Sequence, residues 1–482
     1  MIPKIQMHPR HWQLFLIGWS LLGLLAGGGA VAASGEQPRP APVALPRNIL
    51  LFVADDLGLQ LGCYGDQQAV TPHIDAFAQS GTRFTHAFCN TASCSPSRAT
   101  ILTGQHSHTH GMYGLAHNEH HFRLREGVST LPALLRETGY YTGVVGKFHV
   151  EPAEVVRFNM INPVTGGNND PVGLTNGFKK VMSNAAGKPF LAYVCTTDPH
   201  RPFANQREYD QVIPRKFDPV KLMVPRFLPD RQETRADLAE YYAAISRMDA
   251  AFGMIVDALT AAGHAEDTLI LFLSDNGMPW PGAKTTLYDA GTHLPLIIRQ
   301  PGHKLPGGTN NALVSWVDLL PTILEYAQVA DLGRKLPPNL AGRSFFKILE
   351  ESAPVGWDEW YGSHTFHEVT MYYPMRGMRT RQYKYIRNLA HQLPFPTAQD
   401  LYGSPTWQAA LREEKSLYGE RGLGEFLQRP AEELYDLQSD PHEARNLAGE
   451  PGQAPRLREM RQKVHAWQTA TGDPWLIKDQ HE

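Results

Sequence analysis

Cysteine is scarce: the 482 residues hold 4, at Cys63, Cys89, Cys94 and Cys195. So few in so long a chain cannot make a disulfide scaffold, and their spacings fit no zinc motif. Cys63 and Cys89 stay open as a pair. Excess charge is missing too. The formal net charge is −3, so neither nucleic acid nor a polybasic membrane contact is expected. Beyond the first residues, no stretch reaches the roughly 20 apolar residues that a bilayer crossing needs. Internal repeats and long low-complexity segments are lacking. What remains has the composition of an ordinary globular protein. Its length suffices for a large core and for about three domains.

The N-terminus reads as a signal peptide over residues 1–33. Lys4, His8, Arg10 and His11 make a basic start, Leu14 to Ala26 is apolar, and Ala30-Val31-Ala32 offers a cleavage site. The apolar part is too short for a span, so cleavage is favoured over an uncleaved anchor. Residues 34–46 form a Pro-rich leader. The protein is then exported to a periplasmic, extracellular or lysosome-like compartment.

From residue 47 apolar strands alternate with helices. Asn48 to Ala54 is continuously apolar after Asn48, as suits a strand covered on both faces. Tyr141 to Gly146, Pro189 to Thr196, Thr268 to Ser274 and Pro295 to Arg299 repeat the pattern. Helices are expected from Pro72, over Ser129 to Thr138, over Arg235 to Ala262 and over Val317 to Tyr326. The third carries Leu238, Tyr241, Ile245, Met248, Phe252, Ile255 and Leu259 in one apolar stripe. This alternation predicts an α/β fold with a large, mainly parallel but mixed sheet sandwiched by helices. A catalytic domain over 47–372 follows. The character changes towards the C-terminus. Strand-like alternation over Met378 to Asn388, Glu433 to Leu437 and a last amphipathic helix predict a smaller α+β domain over 373–482. It carries an antiparallel sheet, with a helix start near Asp440.

One regularity points to a site. Four apolar strands run straight into polar residues: Asp55 and Asp56, Lys147 and His149, Asp198 and His200, Asp275 and Asn276. Carboxyl ends of strands converge on the ligand crevice in open α/β sheets. Asp55, Asp56, Asp275 and Asn276 are an all-oxygen set, which suits Ca²⁺ or Mg²⁺ and not zinc. His106, His108, His110, His117, His120 and His121 crowd one stretch. Their spacing supports a polar loop or pocket lining over a metal cluster.

The stretch Cys94-Ser95-Pro96-Ser97-Arg98, leading to Thr103-Gly104, organises the rest. Alone it reads more readily as a buried cysteine beside a helix-starting proline. Arg98 lies one helical turn beyond Cys94 and can face the same site. The segment resembles the signature of the sulfatase family. So does the later block Glu433-Leu434-Tyr435-Asp436-Leu437 with Asp440-Pro441 and Glu443. The resemblance covers nearly the whole mature chain and implies an alkaline-phosphatase-like sulfatase fold. It implies that Cys94 is oxidised to Cα-formylglycine by a formylglycine-generating enzyme. The hydrated aldehyde attacks sulfur with one hydroxyl and expels sulfate with the other, where a thiolate would be left as a stable S-sulfonate. It further implies one Ca²⁺ held by Asp55, Asp56, Asp275, Asn276 and the modified Cys94. Arg98, Lys147 and Lys284 would surround the sulfuryl oxygens, with His149 as base and His200 as acid.

Within sulfatases the chain looks most similar to the N-sulfoglucosamine sulfohydrolases, or sulfamidases. The residues carrying this are Gly111 to Leu115 with His120-His121-Phe122, Gly146-Lys147 with His149-Val150, and Asp198-Pro199-His200-Arg201. His367-Glu368-Val369-Thr370-Met371 with Tyr373-Pro374-Met375-Arg376, followed by Pro394-Phe395-Pro396, are the most specific. The implied reaction is N–S hydrolysis at a terminal N-sulfoglucosamine of heparin or heparan sulfate. The implied substrate contacts are His367, Glu368, His121 and Asp198, and the implied partner is a sulfated glycosaminoglycan oligosaccharide. Lys284 departs from the Arg that sulfamidases tend to carry there. It keeps the charge and loses the bidentate fork. The alternatives are an O-sulfatase on another sugar, a phosphonate or phosphate diester hydrolase of the same superfamily, and a secreted sugar-binding protein with unconverted Cys94. A homodimer stays open.

Overall fold

Alternate residues of the first strand, β1 (Asn48–Ala54), face two different cores. Leu50, Phe52 and Ala54 enter one, while Ile49, Leu51 and Val53 enter the other. All six are fully buried, so β1 lies inside a sheet covered on both faces. Each of the five larger side chains contributes roughly 1.5–3 kcal/mol on burial. The computed structural model describes residues 48–164, 167–203, 216–329, 336–337, 339–412 and 417–477. The expected signal peptide and Pro-rich leader lie outside them.

The other strands of this sheet are β2 (Thr82–Phe88), β3 (Tyr141–Gly146), β4 (Met160–Asn162), β5 (Phe190–Cys195), β6 (Thr268–Ser274), β7 (His293–Arg299) and β8 (Gly308–Ser315). Their order is β4-β3-β5-β1-β6-β7-β2-β8. Pairing is parallel from β4 through to β6 and antiparallel on both sides of β7. The sheet is thus mixed and mainly parallel, as expected. The strands β3, β5, β1 and β6 are consecutive neighbours. Their carboxyl ends lie side by side, and those ends bear the polar residues singled out above.

The long helix Gln232–Ala261 covers one face. All seven residues of its expected stripe are buried, and Phe252 meets Phe52 and Phe272 edge-on at 5.3 Å. The other face carries helix Cys94–Thr103, every residue of which is buried, and helix Leu319–Tyr326.

A second, antiparallel sheet contains β9 (Trp360–His364), β10 (Met375–Arg379) and β11 (Tyr383–Asn388). After the small hairpin of β12 (Leu417–Tyr418) and β13 (Arg421–Gly422), β14 (Glu432–Asp436) completes it in the order β14-β11-β10-β9. Helix Ala454–Thr471 packs on it through Leu457, Met460, Val464 and Trp467. The helix start expected near Asp440 is instead a turn. The Asp440 carboxylate accepts from the backbone N–H groups of Ala444 and Arg445 and so closes a loop. The four cysteines are free thiols, Cys63 and Cys89 included. No helix among the described residues is long and apolar enough to cross a membrane.

Candidate active site

Cys94 is the first residue of its helix and is 1% exposed. Its Sγ lies 3.9 Å from Asp56 Oδ1. Burial pushes the thiol well above its ordinary pKa, against the pull of Lys147 and Lys284. An unmodified Cys94 is therefore a thiol and a poor nucleophile.

The strand ends supply the charges. Asp55 and Asp56 follow β1, and Asp275 and Asn276 follow β6; all four are fully buried. Asp275 Oδ1 accepts from the backbone N–H of Asn276 at 2.7 Å and of Asp56 at 3.1 Å, which ties the two strand ends together. Asn276 Nδ2 donates to Asp56 Oδ1 at 2.7 Å. Asp56 takes φ 62° and His149 φ 55°, left-handed values that cost non-glycine residues energy and cluster at functional sites.

Three cations answer the three carboxylates. Arg98 binds Asp275 through Nε at 2.9 Å and lies 3.5 Å from Asp55. Lys147 Nζ is 2.5 Å from Asp55, and Lys284 Nζ is 2.9 Å from Asp56. Burial raises the Asp55 carboxyl, but Lys147, His200 and Arg98 outweigh it and hold it well below the usual range. Burial and the neighbouring Asp55 charge push Asp275 up to about 8. Like charges this close favour a bound cation. The donor chemistry fits a hard one. Among the described residues, Asn276 Oδ1 is buried with no hydrogen-bond donor, and Asp55 Oδ1 has only the Arg98 ion contact. Carboxylate and amide oxygens are what Ca²⁺ takes.

A cavity of about 660 Å³ opens over this set. Its wall includes Cys94, Lys147, His149, His200 and Lys284 from the first half of the chain, and His367, Glu368 and Asp400 from the second. Lys147 is carried there by Gly146, whose φ of 87° is left-handed. A Cβ at Gly146 would meet the Cys195 carbonyl oxygen at 2.1 Å. His149 is held neutral, since burial, Lys147 and His117 all lower its pKa well below the ordinary value. The His149 and His117 rings hydrogen-bond through Nε2 and Nδ1. The His200 Nδ1 hydrogen bonds to the Arg201 carbonyl, which leaves Nε2 facing Asp56 at 3.7 Å and Asp400 at 3.6 Å.

Three expected site residues are placed elsewhere. Arg98 is not in the cavity wall. It is wholly buried beneath it and ion-paired with Asp275 and Asp55. Asp198 is buried and outside the wall, and Arg247 on the long helix takes both of its oxygens at 2.7 Å. His121 is exposed and outside the wall, while its neighbours His117 and His120 line it. His106, His108 and His110 are buried structural groups. His106 meets Trp467 at 3.1 Å and His108 meets Thr471 at 2.9 Å, so they anchor the C-terminal helix.

Asp400 was not legible in the sequence. It sits in the short helix Gln399–Tyr402, and its Oδ2 lies 2.8 Å from Lys284 Nζ. The nearest signal was the Pro394-Phe395-Pro396 run just upstream.

Residues 47–329 match the sequence profile of the family described as Sulfatase. Residues 282–418 match the one described as N-sulphoglucosamine sulphohydrolase, C-terminal. N-sulphoglucosamine sulphohydrolase of Homo sapiens is 39% identical over 466 residues, covering 90% of this chain and 92% of that one. An ulvan-active sulfatase of Formosa agariphila is 29% identical over 438 residues, covering 88% and 80%. A solved structure in complex with its substrate D-glucosamine-2-N,6-O-disulfate has a TM-score of 0.67 at 20% identity, over 91% of this chain and all of that one. The phosphonate monoester hydrolase of Silicibacter pomeroyi has a TM-score of 0.67 at 20% identity, over 89% and 96%. At such identities these two structures speak for the fold alone.

Proposed function

Because this chain belongs to the sulfatase family, we propose that it hydrolyses the N-sulfate of terminal N-sulfoglucosamine residues in heparin or heparan sulfate. The products are glucosamine and sulfate. The observation that carries this reading is the shared cavity wall. Cys94, Lys147, His149, His200 and Lys284 meet His367 and Glu368, from the segment most like sulfamidases, in one cavity. The 39% identity to a human N-sulphoglucosamine sulphohydrolase over nearly both full lengths supports it.

Cys94 is the residue matured to formylglycine by a formylglycine-generating enzyme. The hydrated aldehyde supplies one hydroxyl to attack sulfur and a second whose deprotonation releases sulfate. Asp55, Asp56, Asp275 and Asn276 would hold one Ca²⁺, which supplies Lewis-acid polarisation and a template for the sulfuryl group. The ammonium groups of Lys147 and Lys284 bind the sulfuryl oxygens, in a site where their charge is already fixed in place. Arg98 holds Asp275 and Asp55 in register. His149, neutral in its surroundings, accepts a proton. His200 presents Nε2 to the cavity and donates a proton to the leaving nitrogen. Its pKa is lowered by burial and by Lys284, against the pull of Asp56, so the ring rests neutral and passes on a proton that it takes up at Nε2 during the reaction. His367 and Glu368 contact the glucosamine hydroxyls, and an enclosed sugar lacking a partner leaves those groups unpaired.

The test is sulfate release from N-sulfoglucosamine, glucosamine 6-sulfate and a 2-sulfated uronate by the matured protein. N-sulfoglucosamine is expected to be the best of the three. Preference for either O-sulfated sugar would reject the sulfamidase reading and leave family membership intact.

A further inference from the structure

A carboxylate in the wall of an anion site calls for a reason. Asp400 shares the cavity with Lys147 and Lys284, and its side chain is 23% exposed where that of Lys284 is wholly buried. It therefore presents an open face to the cavity. Burial would raise its carboxyl, yet Lys284, His367 and His200 hold it well below the usual range, and it stays ionised. Asp400 is not the sole counter-charge of Lys284, since Asp56 lies 2.9 Å from the same ammonium. The placement is also built. Leu401 N–H donates to Asp400 Oδ1 at 2.9 Å, and Glu368 accepts from Gln399 N–H at 2.8 Å, fastening that short helix to the 367–368 segment. A fixed negative charge here repels a bound sulfuryl group, so its benefit must lie with another atom of the substrate. Asp400 Oδ2 is 3.6 Å from His200 Nε2, the nitrogen assigned above to the leaving atom.

We propose that Asp400 is a specificity-determining residue that reads the nitrogen of the scissile N–S bond. It accepts the sulfamate N–H in the bound substrate and stabilises the ammonium formed as the bond breaks. This rests on the N-sulfate reading of the site. The reaction balances as R–NH–SO₃⁻ with H₂O giving R–NH₃⁺ and SO₄²⁻. The N–S bond breaks, an oxygen from water ends on sulfur, and both protons of that water end on nitrogen, one delivered through His200. An O-sulfate has no N–H to donate, and its leaving oxygen ends as a neutral hydroxyl. For that substrate Asp400 keeps its repulsion and gains nothing. The difference is largest as positive charge develops on nitrogen, so it acts on the transition state.

The test compares two sugars that differ only at the atom attached to C2, N-sulfoglucosamine and glucose 2-sulfate. Wild-type kcat/KM should favour the nitrogen compound by about 100-fold or more. Asp400→Asn should cut that ratio by about tenfold or more, through loss on the nitrogen compound while the oxygen compound holds or gains. Inhibition by the product glucosamine should weaken by a similar factor and inhibition by glucose should not. Should Asp400→Asn fail to fold, Asp400→Glu keeps the carboxylate and should keep both the nitrogen preference and the glucosamine inhibition. Parallel loss on both sulfated sugars would overturn the assignment and leave Asp400 as a support for Lys284. A wild type that hydrolyses O-sulfated sugars and spares N-sulfoglucosamine would overturn the N-sulfate reading itself, and the assignment with it.

Discussion

Ser93 Oγ and His367 Nδ1, 274 positions apart in the chain, meet at 2.8 Å. Ser93 occupies the N-cap position of the Cys94 helix, yet its side chain makes no cap hydrogen bond there. The hydroxyl holds His367 instead. The backbone secures the same junction, with Leu115 N–H donating to the His367 carbonyl at 2.8 Å. Gly114 permits this approach, because a Cβ there would meet that carbonyl oxygen at 2.7 Å. The segment proposed to enclose the sugar is thereby positioned by the residue next to Cys94.

Removing that link should loosen the sugar site without touching the chemistry. Ser93→Ala is expected to cost about 1 kcal/mol of positioning, or about a fivefold loss in kcat/KM borne mainly by KM. His367→Ala removes the sugar contact as well and should cost more. Steady-state kinetics on N-sulfoglucosamine checks both, and unchanged KM in His367→Ala would contradict the placement.

Metal dependence should follow from the strand-end set. Chelation is expected to abolish turnover and lower the melting temperature, with Ca²⁺ restoring both better than Mg²⁺, which tolerates irregular oxygen cages less well. Asp55→Ala should lower kcat more than it raises KM, since it removes charge acting in the reacting complex. It also strips Lys147 and Arg98 of a buried partner, a change that costs roughly 3–5 kcal/mol in comparable pairs. Full activity after exhaustive chelation would contradict the assignment.

Strand ends were the most legible part of the chain. Apolar runs closed by Asp55, Lys147, Asp198 and Asp275 predicted both the parallel sheet and the crevice, because burial on two faces forces a continuous apolar run. Partner choice was not legible. Arg98 stands one turn from Cys94 as spacing requires, but spacing does not tell an anion pocket from a buried carboxylate pair. Asp198 looked like a pocket acid until Arg247, from the middle of the long helix, proved to hold it. His121 sits beside residues that do line the cavity, yet it is itself exposed outside the wall. Asp400 belongs to no motif. Its place comes from the folding of a distant segment onto Lys284, which pattern alone does not specify.

Acid should destabilise the fold through the buried histidines. Burial lowers His106 to about 4, with Asp473 opposing and Arg376 assisting. Burial also lowers His110 to about 3, assisted by His106 and Arg125. Both are neutral in the native state, while the unfolded chain protonates them near their ordinary value of about 6.5. Below that pH the unfolded state binds more protons, so stability is full above about 6.5 and falls towards the folded values. Each group contributes a slope of up to about 1.4 kcal/mol per pH unit. Chemical denaturation at pH 7 and pH 5 should show the loss, and His106→Gln should reduce the slope by about one such increment. An unchanged slope in that variant would count against the buried, neutral state.

The account turns on Cys94. The peptide spanning Phe84 to Arg98, released by trypsin, should carry formylglycine at position 94 when the protein is produced with a maturing enzyme. Measured by mass spectrometry across preparations of differing conversion, the modified fraction should rise in proportion to kcat on N-sulfoglucosamine. Cys94→Ala should fold, bind the sugar and turn nothing over. Undiminished turnover from a preparation in which Cys94 remains an unmodified thiol would contradict the account.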